Sequence, residues 1–487
     1  MRWLAAICVV AACSPSAPNN VDADNSSKLD ASGSDLDDGA TSGSRLKLSW
    51  YDFADGTRQW AGLYDAQKKE GCSISGPWTD NNYYCLPEYN GEVVYLDAGC
   101  QQKALHYYVD SVCPQAPAKY YLDSGTVGCV SRPATLYLRG AQQTPATYRY
   151  KNSDGTCGTA ITRSASDAIY AFGTAVPATD LVKLSISAPD STTGRLGARF
   201  FQSDDGMRFP YALHDSMLDL DCAIEYEYGT QAQTSRCVPI DARYAYYAHD
   251  ASCAQPEMAL ANTCNPPAYA YTFPSTSCAD ESETYYQVSG TTPSTPLYYP
   301  SGGSCTSTTA TTGYTYYSLG NAITPAQMDY VADSGQVHRV QLIHNTTPDG
   351  LRYRDPYVLY DSQLGAQCEP VKLPDGTIRC VPLGSYVYSY FSNSGCTVPV
   401  DVIEVYKGPA TCSTPTVPKF GLKTITPDAC SYSYEIHPVT GAHTGTVYSG
   451  SPGSCFAYTP YEATLYDVGA EMDITGLVGA SIAVDGN

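Results

Sequence analysis

Three aspartates carry the most regular polar pattern in the chain. Asp65, Asp215 and Asp361 each precede a cysteine by seven residues, in LYDAQKKEGC, LHDSMLDLDC and LYDSQLGAQC. Carboxylates repeated in register are hard oxygen donors suited to calcium, or to the lining of a pore on a symmetry axis. They are also what a turn needs, because an Asp just after a strand accepts from nearby backbone N–H groups. A residue used by every unit of a repeat usually serves the unit's own folding, which favours the turn reading. Arginines recur as well. Arg58, Arg208 and Arg352 each stand three residues after the aspartate of an Asp-Gly, at Asp55, Asp205 and Asp349. They are expected to pair with the three aspartates and to support the turns.

Histidine chemistry is sparse. His106, His214, His249, His338, His344, His437 and His443 occupy no position common to all three units. His214-Asp215 and His249-Asp250 are adjacent, yet neighbours on a strand point to opposite faces. A catalytic site in a repeat protein is sought where one unit departs from the pattern. Here that is the second unit, which holds both pairs. The chain contains no G-x-S-x-G, H-E-x-x-H, P-loop or complete EF-hand pattern, and no catalytic residue is assigned.

The cysteines point to staples rather than chemistry. Eighteen of the 20 fall six to a unit: Cys72, Cys85, Cys100, Cys113, Cys129 and Cys157; Cys222, Cys237, Cys253, Cys264, Cys278 and Cys305; Cys368, Cys380, Cys396, Cys412, Cys430 and Cys455. Zinc sites want close pairs such as C-x2-C, which the units lack. In an exported chain this pattern means disulfides, with 15 pairings open per unit. The first cysteine of each unit is expected to join the second: Cys72–Cys85, Cys222–Cys237 and Cys368–Cys380.

These residues sit in a threefold repeat. RLKLSWYDFADGTR, RLGARFFQSDDGMR and RVQLIHNTTPDGLR begin at Arg45, Arg195 and Arg339. Each is followed by the Asp-x6-Cys landmark, a C-[LV]-P and a Tyr-rich run. The units span 45–194, 195–338 and 339–487. Asp-Gly after a β run is a strong turn signal, so each repeat opens on a hairpin. Short alternating or aromatic runs separated by Gly, Asp, Asn and Pro give roughly eight strands per unit and no long helical period. The expected fold is all-β: one closed six-bladed β-propeller of doubled four-stranded blades, or alternatively three tandem disulfide-rich β domains. Apolar strands precede units two and three but not unit one. The last segment, near 473–487, has no unit after it and is expected to close the ring beside the first.

The N-terminus, MRWLAAICVVAACSPSAPNN, has a positive residue, a short apolar run and a small-residue end. VAAC, ending at Cys13, resembles a bacterial lipobox. This implies a signal peptide over 1–12 and lipidation of Cys13. Ser14 is compatible with an outer-membrane destination in the bacterial cell envelope. Residues 13–44 are polar and acidic, with too little apolar area to offset ordering, and read as a disordered tether. Within it, Asp35, Asp37, Asp38 and Gly39 begin like a calcium loop but lack its remainder.

The lipobox, the acidic tether and the thrice-used D-G-x-R…D-x6-C…C-[LV]-P pattern resemble a group of uncharacterised cysteine-rich repeat lipoproteins of myxobacteria and relatives. That resemblance implies no activity. Tyr84 departs from it where units two and three carry Arg236 and Arg379. A net charge of −21 argues against nucleic-acid binding, which wants a basic stripe. The 43 tyrosines, in runs such as YAYYAHD, AYAYTF, YTYYS and YVYSYF, suit carbohydrate stacking or protein contacts as well as ordinary strands. The expected function is a surface-anchored binding or structural lipoprotein with a glycan or protein ligand. The alternative is an envelope polysaccharide hydrolase or lyase. Calcium-dependent adhesion through Asp65, Asp215 and Asp361 is a third reading, and no other cofactor is expected.

Overall fold

The computed structural model describes residues 39–486, apart from 110–115, 128–129, 153–154, 191–193, 227–233, 262–265, 274–282, 293–294, 302–303, 334–336, 407–415 and 429–430. Cys13, the signal segment, residues 13–38 of the tether and Asp35, Asp37 and Asp38 lie outside the described residues, as do Cys113, Cys129, Cys264, Cys278, Cys412 and Cys430.

The described chain is β throughout, with two short 3-10 turns. Fifteen strands form one hydrogen-bonded ring. Unit one contributes β1 (Leu46–Phe53), β2 (Arg58–Asp65), β3 (Glu70–Ser75), β4 (Tyr83–Pro87) and β5 (Val182–Ile186). Unit two contributes β6 (Leu196–Ser203), β7 (Arg208–Asp215), β8 (Leu220–Tyr226), β9 (Thr234–Pro239) and β10 (Ala326–Ala332). Unit three contributes β11 (Val340–Thr346), β12 (Arg352–Asp361), β13 (Ala366–Lys372), β14 (Ile378–Pro382) and β15 (Gly479–Val484). Strand β15 lies between β14 and β1 and closes the ring, with Trp50 opposite Ala483 and Ile378 opposite Ala480.

All neighbours in the ring are antiparallel. An odd ring of antiparallel pairs cannot keep every strand along one axis. The core divides into clusters that straddle unit boundaries: the first takes in Met207 of unit two, the second Leu351 and Tyr353 of unit three, and the third Phe53 of unit one. Leu46, Leu48, Trp60 and Leu63 fill the first. Leu196, Leu213 and Met328 fill the second, and Val340, Leu342 and Leu359 the third.

The remaining strands form a satellite sheet in each unit, inserted before its fifth ring strand. These have five strands in unit one, beside a separate two-stranded sheet of Thr147–Tyr148 and Ile161–Thr162, eight in unit two and seven in unit three. The six-bladed propeller is thus corrected. Blades of a propeller are separate sheets that pack face to face, whereas these meanders are hydrogen-bonded edge to edge. The strands expected to double each blade fold away as a satellite. Tandem disulfide-rich β units fit the architecture, with neighbours sharing edges.

Disulfides staple both layers. Cys72–Cys85, Cys222–Cys237 and Cys368–Cys380 cross the third and fourth strands of each meander, with Cα separations of 5.4, 5.1 and 5.3 Å. Cys100–Cys157, Cys253–Cys305 and Cys396–Cys455 pin the satellites. Cys100, Cys253 and Cys396 each hold a left-handed φ, of 51°, 55° and 50°. They end a loop whose backbone N–H groups are gathered by Asp97, Asp250 or Asn393.

Candidate functional site

Asp65, Asp215 and Asp361 end the second strand of each unit and are buried. Each accepts from the two backbone N–H groups that follow its turn, at 3.0–3.3 Å. Each is also paired with an arginine, but not the expected one. The partners are Arg45, Arg195 and Arg339, at 2.7, 2.6 and 2.8 Å. The same guanidinium groups donate to the carbonyls of Asp180, Thr324 and Gly476, just ahead of each unit's fifth strand. The three aspartates therefore join first, second and fifth strands. They lie in separate units, each paired with its own arginine.

The Asp-Gly turns reach across unit boundaries. Asp205 Oδ2 accepts from the N–H groups of Arg45 and Leu46. Asp349 Oδ2 accepts from Arg195 N–H, and Asp55 Oδ2 from Val340 N–H. Glycine at the next position supplies φ of 97°, 93° and 100° for Gly56, Gly206 and Gly350.

Arg58, Arg208 and Arg352 instead stand near the aspartate that follows a fifth strand, Asp485, Asp190 and Asp333. Arg208 pairs with Asp190 at 2.7 Å and lies 3.7 Å over the Phe200 ring. Arg352 pairs with Asp333 at 2.6 Å, beside buried His344. In unit one the pair is looser. Arg58 bonds Asp52 at 2.7 Å, lies 4.6 Å over Trp50, and stands 3.6 Å from Asp485. Asp485 accepts from Trp50 Nε1 at 2.9 Å and from the Ser42 hydroxyl at 2.8 Å. A cavity of about 330 Å³ opens there, between Ala40–Ser42, Leu48, Trp50, Arg58 and Asp485.

At the centre of the ring the threefold pattern breaks. Gln59, Ser235, Asn345, Arg354 and Asp355 are fully buried. Asp355 accepts from the hydroxyls of Tyr226 and Tyr330 of unit two, at 2.6 and 2.7 Å. Burial and the Asp355 charge push both phenols well above their usual range. The Asp355 carbonyl accepts from Gln59 Nε2 of unit one at 3.0 Å, and Gln59 Oε1 accepts from Arg354 Nε at 3.0 Å. The cause is a longer second strand in unit three. Its bulge sets Asp355 to Val358 between the pairs Leu342↔Leu359 and His344↔Arg354. The bulges of units one and two hold only Ala61 and Tyr211. Unit three, not unit two, carries this departure.

A second departure lies in unit two, between ring and satellite. Glu225 on β8 faces Arg236 on β9, which contacts Glu225 and stands 3.7 Å from Glu283. The Tyr285 hydroxyl donates to Glu225 at 3.3 Å. Burial, then the hydrogen bond and charge of Glu283, push the Glu225 carboxyl up to about 7, against the pull of Arg236.

From this pair an aromatic strip runs outward over the satellite sheet. Tyr285 lies 5.7 Å from Tyr271, Tyr271 5.6 Å from Tyr244, and Tyr244 4.9 Å from Phe273 and 5.7 Å from Tyr246. Tyr244, Tyr246 and Phe273 are 37, 40 and 50 % exposed. Unit three has a shorter strip, Tyr386–Tyr388–Tyr390–Tyr458.

Residues 27–470 match a family described as Family of unknown function (DUF7481). The chain belongs to this family. No curated protein and no solved structure matches it. The DUF7481 match ends ahead of β15, the strand that closes the ring.

In this DUF7481 chain the adjacent pairs His214-Asp215 and His249-Asp250 form no dyads, in keeping with strand neighbours that face opposite ways. His214 Nδ1 meets Asp221 at 3.0 Å, while Asp215 holds Arg195. His249 faces Glu257 at 3.7 Å, and Asp250 gathers the N–H groups of its own loop. His106 does pair with a carboxylate, Asp167, at 2.9 Å. Among the described residues no group of three His, Cys, Asp or Glu side chains is placed to hold a metal. The arginine partners of the repeated aspartates had a signal in the sequence, since Arg45, Arg195 and Arg339 recur in register. Glu225 and Glu283 had none, being 58 residues apart and unrepeated.

Proposed function

We propose that this chain is a binding lipoprotein of the bacterial cell envelope. Cys13 is lipidated and held in the outer membrane, and the body takes a neutral glycan along the unit-two aromatic strip. The observation that carries this reading is the continuity of exposed rings Tyr246, Tyr244 and Phe273. Aromatic faces stack on the apolar face of a sugar, and phenol hydroxyls meet its polar rim. The strongly acidic chain repels polyanions, which favours a neutral glycan. The myxobacterial resemblance and the lipobox support the envelope setting.

The test is a glycan array with the detergent-solubilised full chain, run with and without calcium. Binding of neutral glycans that weakens in Tyr244→Ser and Phe273→Ser supports the reading. Binding unaffected by both substitutions, or none at all, overturns it.

Glu225 and Glu283 favour a second reading, a polysaccharide hydrolase or lyase, because acids that break the repeat adjoin the strip. Their mutual hydrogen bond weighs against hydrolysis. Retaining glycosidases separate their carboxyls by about 5 Å and inverting ones by more. Shortened oligosaccharide products that vanish in Glu225→Gln would establish this reading instead.

A further inference from the structure

The three stations of arginine, ring and carboxylate are built alike but closed to different degrees. In unit two, Arg208 is seated on Phe200 and held by both oxygens of Asp190 at 2.7 Å. In unit three, Arg352 holds Asp333 directly. In unit one the guanidinium has moved to Asp52, the Arg58–Asp485 gap is 3.6 Å, and the cavity of about 330 Å³ lies beside it. Geometry that is filled by a direct ion pair in two units is open in the third.

We infer that this opened station is a binding site for a single neutral sugar ring. It is separate from the aromatic strip and independent of the function proposed for that strip. The cavity lining holds one guanidinium, Arg58, and one carboxylate, Asp485, while Asp52, which bonds Arg58, lies outside that lining. An anion there would face Asp485, and a cation would face Arg58. A hydroxyl suits both, because it accepts from Arg58 and donates to Asp485. Two neighbouring hydroxyls on a ring span such a gap. The other walls, Ala40, Leu48 and Trp50, are only 1, 1 and 5 % exposed, so a ring in the cavity meets chiefly the polar groups of Thr41, Ser42, Arg58 and Asp485. Ser42 fixes the carboxylate, and its hydroxyl also accepts from Leu48 N–H at 2.8 Å. The volume sits at the low end of ligand cavities, about 300–1,000 Å³, which fits one ring and excludes a long oligosaccharide.

Saturation-transfer NMR on the full chain tests this with glucose, galactose, mannose and N-acetylglucosamine, and with glycine and alanine as zwitterionic controls. At least one sugar is expected to bind. Arg58→Gln and Asp485→Asn each weaken that sugar about tenfold or more, Ser42→Ala weakens it less, and Arg208→Gln leaves it unchanged. Ser42→Ala leaves every charge in place and keeps the test meaningful if the ion-pair variants melt early. The inference is overturned by no sugar signal, by binding that survives Arg58→Gln and Asp485→Asn, or by binding of the amino acids alone.

Discussion

Asp205, in the opening turn of unit two, caps the first strand of unit one: its Oδ2 accepts from Arg45 N–H at 2.6 Å and from Leu46 N–H at 2.8 Å. The same relation runs from Asp349 to unit two and from Asp55 to unit three. Each turn thus clasps the unit whose first strand it caps, and three clasps make a cycle. The Asp-Gly repeat is a local turn and also the fastener between units.

Removing one clasp is expected to destabilise the whole ring. Asp205→Ala leaves two backbone donors short of an acceptor, a loss of about 1–3 kcal/mol, read from urea melts. Gly43→Ala is expected to do similar harm, since an added Cβ would stand 2.3 Å from Asp205 Oδ2. Burial raises the Asp205 carboxyl, but hydrogen bonds from Ser203, Arg45, Leu46 and Met207 outweigh it and hold it below its usual range. A depressed carboxyl contributes stability above its unfolded value, about 3.9, and loses it on further acidification. The Asp205→Ala deficit is therefore present at neutral pH and shrinks below about pH 4.

Arg195 and Asp215 form a buried pair in which the aspartate side chain has no exposed surface. Arg195→Met leaves that carboxylate without its countercharge, a cost of about 3–5 kcal/mol. Arg208→Met removes an arginine whose partner Asp190 is half exposed, and is expected to cost about 1 kcal/mol or less from the ion pair. Comparable losses in the two variants would contradict the assignment of Arg195, rather than Arg208, to Asp215.

Asp355 organises the centre. Asp355→Ala strands the hydroxyls of Tyr226 and Tyr330 and is expected to cost several times the roughly 1 kcal/mol of either Tyr→Phe change. Tyr226→Phe combined with Asp355→Ala should cost less than the sum of the two, because they share one interaction. Strict additivity in that double-mutant cycle would show that the hydroxyl and carboxylate do not interact.

Glu225 sets a pH dependence of opposite sign to that of Asp205. Its carboxyl is raised to about 7 by burial and by Glu283. A raised group contributes stability fully present below its unfolded value, about 4.3, and lost as pH rises through about 7. Between those values the melting temperature is expected to fall with rising pH, and Glu225→Gln to flatten that slope. An unchanged slope in Glu225→Gln would assign it to other groups.

What the sequence displayed and what it hid follow from separation along the chain. The turn glycines, the Asp-x6-Cys landmark and the first disulfide of each unit involve residues 15 or fewer apart, so their register is visible as a repeat. The orphan apolar segment at the end was visible because units two and three each have a counterpart before them. Which strands join the ring was not visible, because ring and satellite strands share the same short, Tyr-rich alternation. The central departure was legible as spacing, since Arg352 to Asp361 is nine residues against seven from Arg58 to Asp65. What it would do depended on Tyr226 and Tyr330, more than a hundred residues and 25 residues away.

The central claim is that the ends of the chain are fastened into one ring by β15. Amide hydrogen exchange on the intact protein tests it directly. Residues Gly479–Val484 are expected to exchange as slowly as their counterparts Val182–Ile186 and Ala326–Ala332, which also lie between two ring strands. Exchange at the rate of a frayed terminus would show that the last strand does not close the ring.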